Sequence, residues 1–287
     1  MPLAILFAIL TGGCWTLIGV ILSRCASGKL NILAYSLLQT VFTGTAAILL
    51  AVPFSGFSGR DFGLLALFVF TGGAFNSIAQ WLTHRAMACG NRSLVWAVSQ
   101  SAIIFPFLVG VTVFHNHSTP GQWLGTFIVI VGVLLPELGA WRDFRKSVTL
   151  TLLAFLVFGL VQSLYSIPSQ LGTLKAVALR PALSAYGGFA GWLLIARHHA
   201  TPLRFNRTTL VFAAVMTVVQ LASLKLFFLS LDSLAEHGYC NIGLPLITGA
   251  NIIGFALYSA IFLREPLKRL NIIGLAIVFC GLLLLAI

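Results

Sequence analysis

Apolar stretches of about 20 residues, long enough to cross the roughly 30 Å hydrocarbon core of a bilayer as helix, recur from one end of the sequence to the other. They divide the chain into ten spans, near residues 2–22, 32–52, 62–82, 94–114, 119–138, 150–168, 177–196, 209–229, 239–263 and 270–287. Breakers and charges separate them, as at Ser27-Gly28-Lys29, between Ser55 and Arg60, and at Thr201-Pro202. Span 7 starts untidily, at Arg180 and Pro181. Proline is tolerated in a first helical turn, so that span effectively begins there. The runs are apolar all round and too long for barrel strands, which alternate over about ten residues. The expected fold is an all-α membrane protein.

Composition agrees. Charged residues make up 8% of the 287 positions, against about 25% in a soluble domain, so the solvent for most of this chain is lipid. The net charge of +11 does not point to nucleic acid, because the basic residues are scattered in ones to threes and form no patch that tracks a phosphate backbone. Cys14, Cys25, Cys89, Cys240 and Cys280 lie in or beside apolar segments without CxxC spacing, which reads as free thiols and neither a disulfide framework nor a metal site. The opening MPLAILFAIL has no basic n-region and no cleavage site after it, so it is expected to be a retained first span.

The spans fall into two sets. Gly125 and Gly132 of span 5 share their spacing with Gly274 and Gly281 of span 10, at an offset of 149 residues. Asn116-His117 stands where Glu265-Pro266 stands at the same offset, and Gly12 of span 1 precedes Gly159 of span 6 by 147. Two copies of a five-helix unit account for this, 1–146 and 147–287. A unit with an odd number of helices inserts its second copy upside down, an inverted repeat of the kind secondary transporters use. Charge tests the idea separately. Thirteen lysines and arginines lie in odd-numbered connections, three in even-numbered ones, and Lys225 falls inside span 8. By the positive-inside rule the odd connections are cytoplasmic and both termini lie outside.

Phe262-Leu263-Arg264-Glu265-Pro266, then Asn271-Ile272-Ile273-Gly274 and Val278-Phe279-Cys280-Gly281, resemble the end of a repeat in the drug/metabolite transporter superfamily, in its ten-helix EamA-like form. Thr11-Gly12-Gly13-Cys14-Trp15 is similar to that family's opening helix, while the first half carries Asn116-His117 in place of the loop glutamate. The resemblance implies a central cavity lined mostly by spans 1, 3, 4, 6, 8 and 9, with spans 5 and 10 peripheral and the two halves rocking.

Polar side chains within spans are rare and often face a bundle interior. Here they form helical stripes: Asn76, Gln80 and His84; Ser93, Trp96 and Gln100; Gln162, Tyr165 or Ser166, and Ser169; Gln220 and Lys225; Asn241, Pro245 and Thr248; and Trp15 in span 1. Spans 2, 5 and 10 are plainer. Two readings stay open for each residue, substrate contact or interhelical hydrogen bonding worth roughly 0.6 kcal/mol. Lys225 is either a cavity cation for an anionic substrate or a side chain snorkelling to the end of span 8, toward Asp232. Trp15 and Trp96 are candidates for stacking on an aromatic or sugar ring, whereas Trp81, Trp123, Trp141 and Trp192 suit the membrane interface. Gly187, Gly188 and Gly191 include a GxxxG spacing, read as close helix packing.

No acid lies mid-span: Glu137, Asp232, Glu236 and Glu265 are all near ends. A mid-membrane glutamate in the first helix, as the family's small multidrug exporters use, is missing. His84, Glu236 and His237 remain the candidates for any proton coupling. No GxxxxGK[ST] loop is present, so energy must come from a gradient or exchange. Expected, then, is a multi-pass protein of a bacterial inner membrane, monomer or homodimer, without cofactor. It moves a small polar solute, neutral or anionic, with amino-acid-like compounds ahead of sugars. A membrane-embedded enzyme on a lipid-linked substrate is the rival from another class, but the pairs His115/His117 and His198/His199 have no acidic partner nearby. A non-transporting receptor or assembly partner is a third.

Overall fold

With no water in the bilayer core, backbone N–H and C=O groups must be paired within the chain, and helix does this segment by segment. The computed structural model describes residues 2–28, 30–51, 59–90, 92–135, 147–171, 179–199, 203–262 and 269–286. Within them every element is helical and no strand occurs. In chain order they are α1 (Pro2–Ala26), α2 (Ile32–Leu50), α3 (Gly59–Leu65), α4 (Thr71–Cys89), α5 (Arg92–Gln100), α6 (Ile104–Thr112), α7 (Pro120–Leu134), α8 (Val148–Gln170), α9 (Arg180–His199), α10 (Arg207–Ala235), α11 (Cys240–Phe262) and α12 (Arg269–Ala286). Short polar side chains set several starts. Asn31 accepts from Ala34 N–H, Asn206 accepts from Thr209 N–H, and Thr119 and Gln122 form a reciprocal capping box.

Seven helical stretches are long and apolar enough to cross a membrane, as a multi-pass integral membrane protein requires: Pro2–Ala26, Ile32–Leu50, Gly59–Cys89, Val95–Thr112, Val148–Gln170, Arg207–Ala235 and Ile242–Phe262. Pro120–Gly132 and Ile272–Gly281 are shorter apolar helices. The outward faces carry Leu50, Phe127, Leu194, Val218 and Phe262, all largely exposed, a surface that only lipid would solvate.

Two irregularities go beyond what the hydropathy pattern predicts. A π-helical turn, Ala66–Phe70, joins α3 to α4 into one rod. A 3₁₀ turn, Ser101–Ile103, joins α5 to α6. Pro106 follows it, and a proline without N–H cannot bond the carbonyl four residues back, so the ladder tightens there. Helix α10 runs six residues past the expected end at 229, through Asp232, because that carboxylate is neutralised within the protein. The Arg180 Nη1 donates to Asp232 Oδ1 at 2.8 Å and to Ser169 Oγ at 3.1 Å, and its guanidinium lies 5.5 Å from the Phe228 ring centre. Asp232 therefore belongs to Arg180 and not to Lys225. Helix α9 does begin at Arg180, with Pro181 in its first turn.

Helices meet where glycine lets backbones close. A methyl on Gly12 would strike the Ile247 carbonyl and lie 2.7 Å from Ala250 Cβ; Thr16 Oγ1 donates to the Asn251 carbonyl at 3.2 Å; Gly19 faces Phe255. Helices α1 and α11 thus run side by side in the same direction. The contacts of α7 and α12 run oppositely, Gly132 on the Gly274 carbonyl and Gly281 on the Gly125 carbonyl. Helices α2 and α9 are likewise antiparallel, through Gly44 on Tyr186 and Gly188 on Thr40. Helices α4 and α9 are parallel, Gly73 meeting Ser184 and Gly191 meeting Ala74 and Ser77. The GxxxG of α9 is therefore a packing surface: Gly187 faces the Phe70 carbonyl and Gly191 the Ala74 carbonyl.

Candidate functional site

The close approach of α4 to α8 and α9 sets the geometry of the interior. Gly72 lies under the Tyr165 ring and Gly73 against the Ser184 backbone, so the next turn of α4 directs Asn76 and Gln80 into the space between α1, α8, α9 and α10. That space is a cleft holding about 600 Å³ of free volume, its opening to the outside included. Its wall is Trp15 and Ile18 of α1, Asn76 and Gln80 of α4, Trp96 and Gln100 of α5, Phe158, Val161, Gln162 and Tyr165 of α8, Ser184 of α9, and Gln220, Leu224 and Phe227 of α10. A second, smaller lobe shares Ile18, Asn76, Gln80, Ser184, Gln220 and Leu224 with the first and adds Tyr35, Gln39, Thr40 and Thr43 of α2 and Trp192 of α9, among others.

Eight sequence candidates meet in the first lobe: Trp15, Asn76, Gln80, Trp96, Gln100, Gln162, Tyr165 and Gln220. Three others do not line it. Lys225 is exposed on the outward side of α10, away from either lobe, so it is no wall cation. Thr248 is fully buried in α11 and borders neither lobe. Asn241 sits in the first turn of α11, and its side chain lies outside the described residues, as do Glu137, Glu265 and Trp141. Span 9 was expected in the wall; α11 instead packs along α1. Asn251 Oδ1 accepts from Trp96 Nε1 at 3.3 Å, and Gly19 of α1 seats the same indole with Cε2 2.9 Å from where a Cβ would stand. Trp96 is thus fixed from behind while its ring faces the cavity.

Helices α2 and α9 were not expected in the wall. The signal was present, since Tyr35, Gln39 and Thr43 stand four residues apart like the stripe of α4. Trp192, expected at the membrane interface, is buried beside Trp81, whose ring it meets edge-on at 6.4 Å. His84 leaves the Asn76–Gln80 stripe to stack on Trp81 at 5.6 Å.

The wall carries carboxamides, hydroxyls and aromatic rings, and no charged side chain among the described residues. Tyr165 and Ser184 hydroxyls bond each other at 2.7 Å. The carboxamides are differently placed. Gln162 Oε1 is buried without a hydrogen-bond partner among the described residues. A surface of this kind can bind an uncharged polar molecule but offers nothing to offset a stripped ion.

No family model matches the sequence, and no curated protein matches it. A solved structure described as "Crystal structure of protein" is similar in fold, with a TM-score of 0.71 over 98% of this chain and 95% of its own, at 13% identity. At that identity the likeness speaks to the fold alone. The fold and site define a helical, membrane-compatible protein with an uncharged polar cavity inside the bundle.

Proposed function

We propose that the chain is a secondary transporter of the drug/metabolite transporter type, carrying a small, polar, uncharged solute across a bacterial inner membrane by alternating access, as a monomer or homodimer. The observation that carries this is the amide- and aromatic-lined cavity, drawn from helices of both halves of the sequence. Among the described residues no cation stands in the wall, which narrows the expected neutral or anionic solute to a neutral one.

The reading includes ten spans in two inverted repeats. Helix packing supports it. If α1 exchanges with α8, α2 with α9, α3–α4 with α10, α5–α6 with α11 and α7 with α12, the packed pairs map onto one another: α1 on α11 becomes α8 on α5–α6, and α4 on α8 becomes α10 on α1. Equivalent helices meet antiparallel at α7–α12 and α2–α9, as a second copy inserted upside down requires. Cys89, exposed at the end of α4, then faces the cytoplasm. A membrane-impermeant maleimide should label it in inside-out vesicles and not in right-side-out ones, with Cys89→Ser as control. The reverse pattern would overturn the assigned topology.

Transport itself is tested in proteoliposomes by counterflow of labelled neutral solutes. Gln80 borders both lobes, and a lost hydrogen bond from a buried site costs about 1–3 kcal/mol. Gln80→Leu should therefore cut counterflow about tenfold or more while leaving the melting temperature close to wild type. If no solute that binds the protein is ever exchanged, the transporter reading is wrong.

A further inference from the structure

The chemistry of the cavity selects more narrowly than "uncharged". Gln162 is 2% exposed and its Oε1 has no hydrogen-bond partner among the described residues. An orphaned buried acceptor is a standing cost that a ligand N–H or O–H removes. Around it stand the carboxamides of Asn76, Gln80, Gln100 and Gln220. Every carboxamide presents a donor beside an acceptor. It therefore pairs at two points with a ligand edge that does the same, as Asn and Gln do with the edge of adenine.

Five aromatic rings stand in the first lobe, Trp15, Trp96, Phe158, Tyr165 and Phe227, beside the aliphatic Ile18, Val161 and Leu224 and the hydroxyl of Ser184. Aromatic side chains accept a ring by its faces. Trp15 and Phe227 are already packed together with ring centres 5.6 Å apart, and Tyr165 lies 6.0 Å from Phe227, so this wall is preassembled. A hexose asks for hydroxyl partners around its whole perimeter, each hydroxyl being a donor and an acceptor, whereas a planar ring with amide-like groups asks for them along one edge. A zwitterion or phosphate would lose its hydration against a wall in which no described residue carries a counter-charge.

Resting on the reading of this cavity as the substrate site, we propose that it takes an uncharged planar ring whose edge carries amide-like N–H and C=O groups. This is the chemistry of a nucleobase or its nucleoside, with Gln162 Oε1 accepting from one ring or exocyclic N–H.

The test is binding to the purified full-length protein in detergent, by melting shift and calorimetry. Uracil, uridine, adenine and adenosine are the probes, with tryptophan as a charged planar comparator and glucose as a neutral non-planar one. The expected result is binding of at least one base or nucleoside, weakened about tenfold or more by Gln162→Leu, with no response to tryptophan or glucose. Response to bases alone or only to nucleosides identifies which of the two enters. Gln100→Leu is the second variant, used if Gln162→Leu does not fold. The proposal is overturned if none of the four binds at about 1 mM, if tryptophan or glucose binds more tightly, or if both glutamine variants bind like wild type. Base binding without counterflow would leave the ligand class standing and remove the transport reading. Counterflow of another solute without base binding would do the opposite.

Discussion

An Asp232→Asn protein is expected to lose about 3–5 kcal/mol of stability, the cost of leaving a buried charge without its ion-pair partner. Arg180 is fully buried, with Asp232 Oδ1 2.8 Å from its Nη1. The pair joins the start of α9 to the last turns of α10, and Ser169 ties in the end of α8. Removing the carboxylate strips the guanidinium of a counter-charge where water does not reach it. Replacing both members is a different experiment. An Arg180→Met, Asp232→Leu double variant leaves no charge to desolvate, and buried pairs exchanged for apolar groups of similar size are often neutral in stability. The double variant should therefore melt above Asp232→Asn, although it carries more changes. Lys225→Gln serves as the surface control and should move stability by no more than about 0.5 kcal/mol. Thermal unfolding in one detergent compares all three. An Asp232→Asn protein that melts with the wild type would mean that water screens the pair.

The second large effect concerns one added methyl group. A Cβ at Gly187 would land on the Phe70 carbonyl oxygen and lie 2.8 Å from its carbon. Both are backbone atoms and cannot rotate away, so Gly187→Ala must push α9 off the π-helical turn. Overpacking of this kind costs about 1–3 kcal/mol and occasionally more. Gly13→Ala is the matched comparison, because nothing lies within 4 Å of the added Cβ there. In a helix interior that exchange favours alanine by roughly 0.5–1 kcal/mol. The two substitutions are chemically identical and should move the melting temperature in opposite directions. Equal effects would show that the α4–α9 contact is looser than the backbone distances imply.

Much of the architecture was legible in the residue pattern. Apolar runs placed the helices, and the GxxxG of α9 announced a close backbone contact. The stripes on α4, α5, α8 and α10 named seven wall residues, and Trp15 of α1 made the eighth. The pattern fails where a helical face must be matched to a neighbour. The polarity of α11 looked equal to that of α4, yet Asn251 turns its Oδ1 to Trp96 and its carbonyl to Thr16 of α1. Span 2 looked plainer than its neighbours, yet α2 contributes Tyr35, Gln39 and Thr43 to the second lobe. Periodicity states that a helix has a polar side; it does not state which helix that side meets. The Arg180–Asp232 pair was hidden for a related reason. Its members stand 52 residues apart, each at a helix end, where charge is ordinarily read as wetted.

The seam between α7 and α12 bears on how the protein can be handled outside the cell. Gly132 rests on the Gly274 carbonyl and Gly281 on the Gly125 carbonyl, so the two surfaces are matched in shape and gain nothing from excluding water. Lipid tails and detergent tails are equally poor competitors for such a fit, because neither fills a groove only a backbone deep. Exchange of one amphiphile for another should leave this pair of helices together, and the parts that loosen first on solubilisation should be those held by side chains.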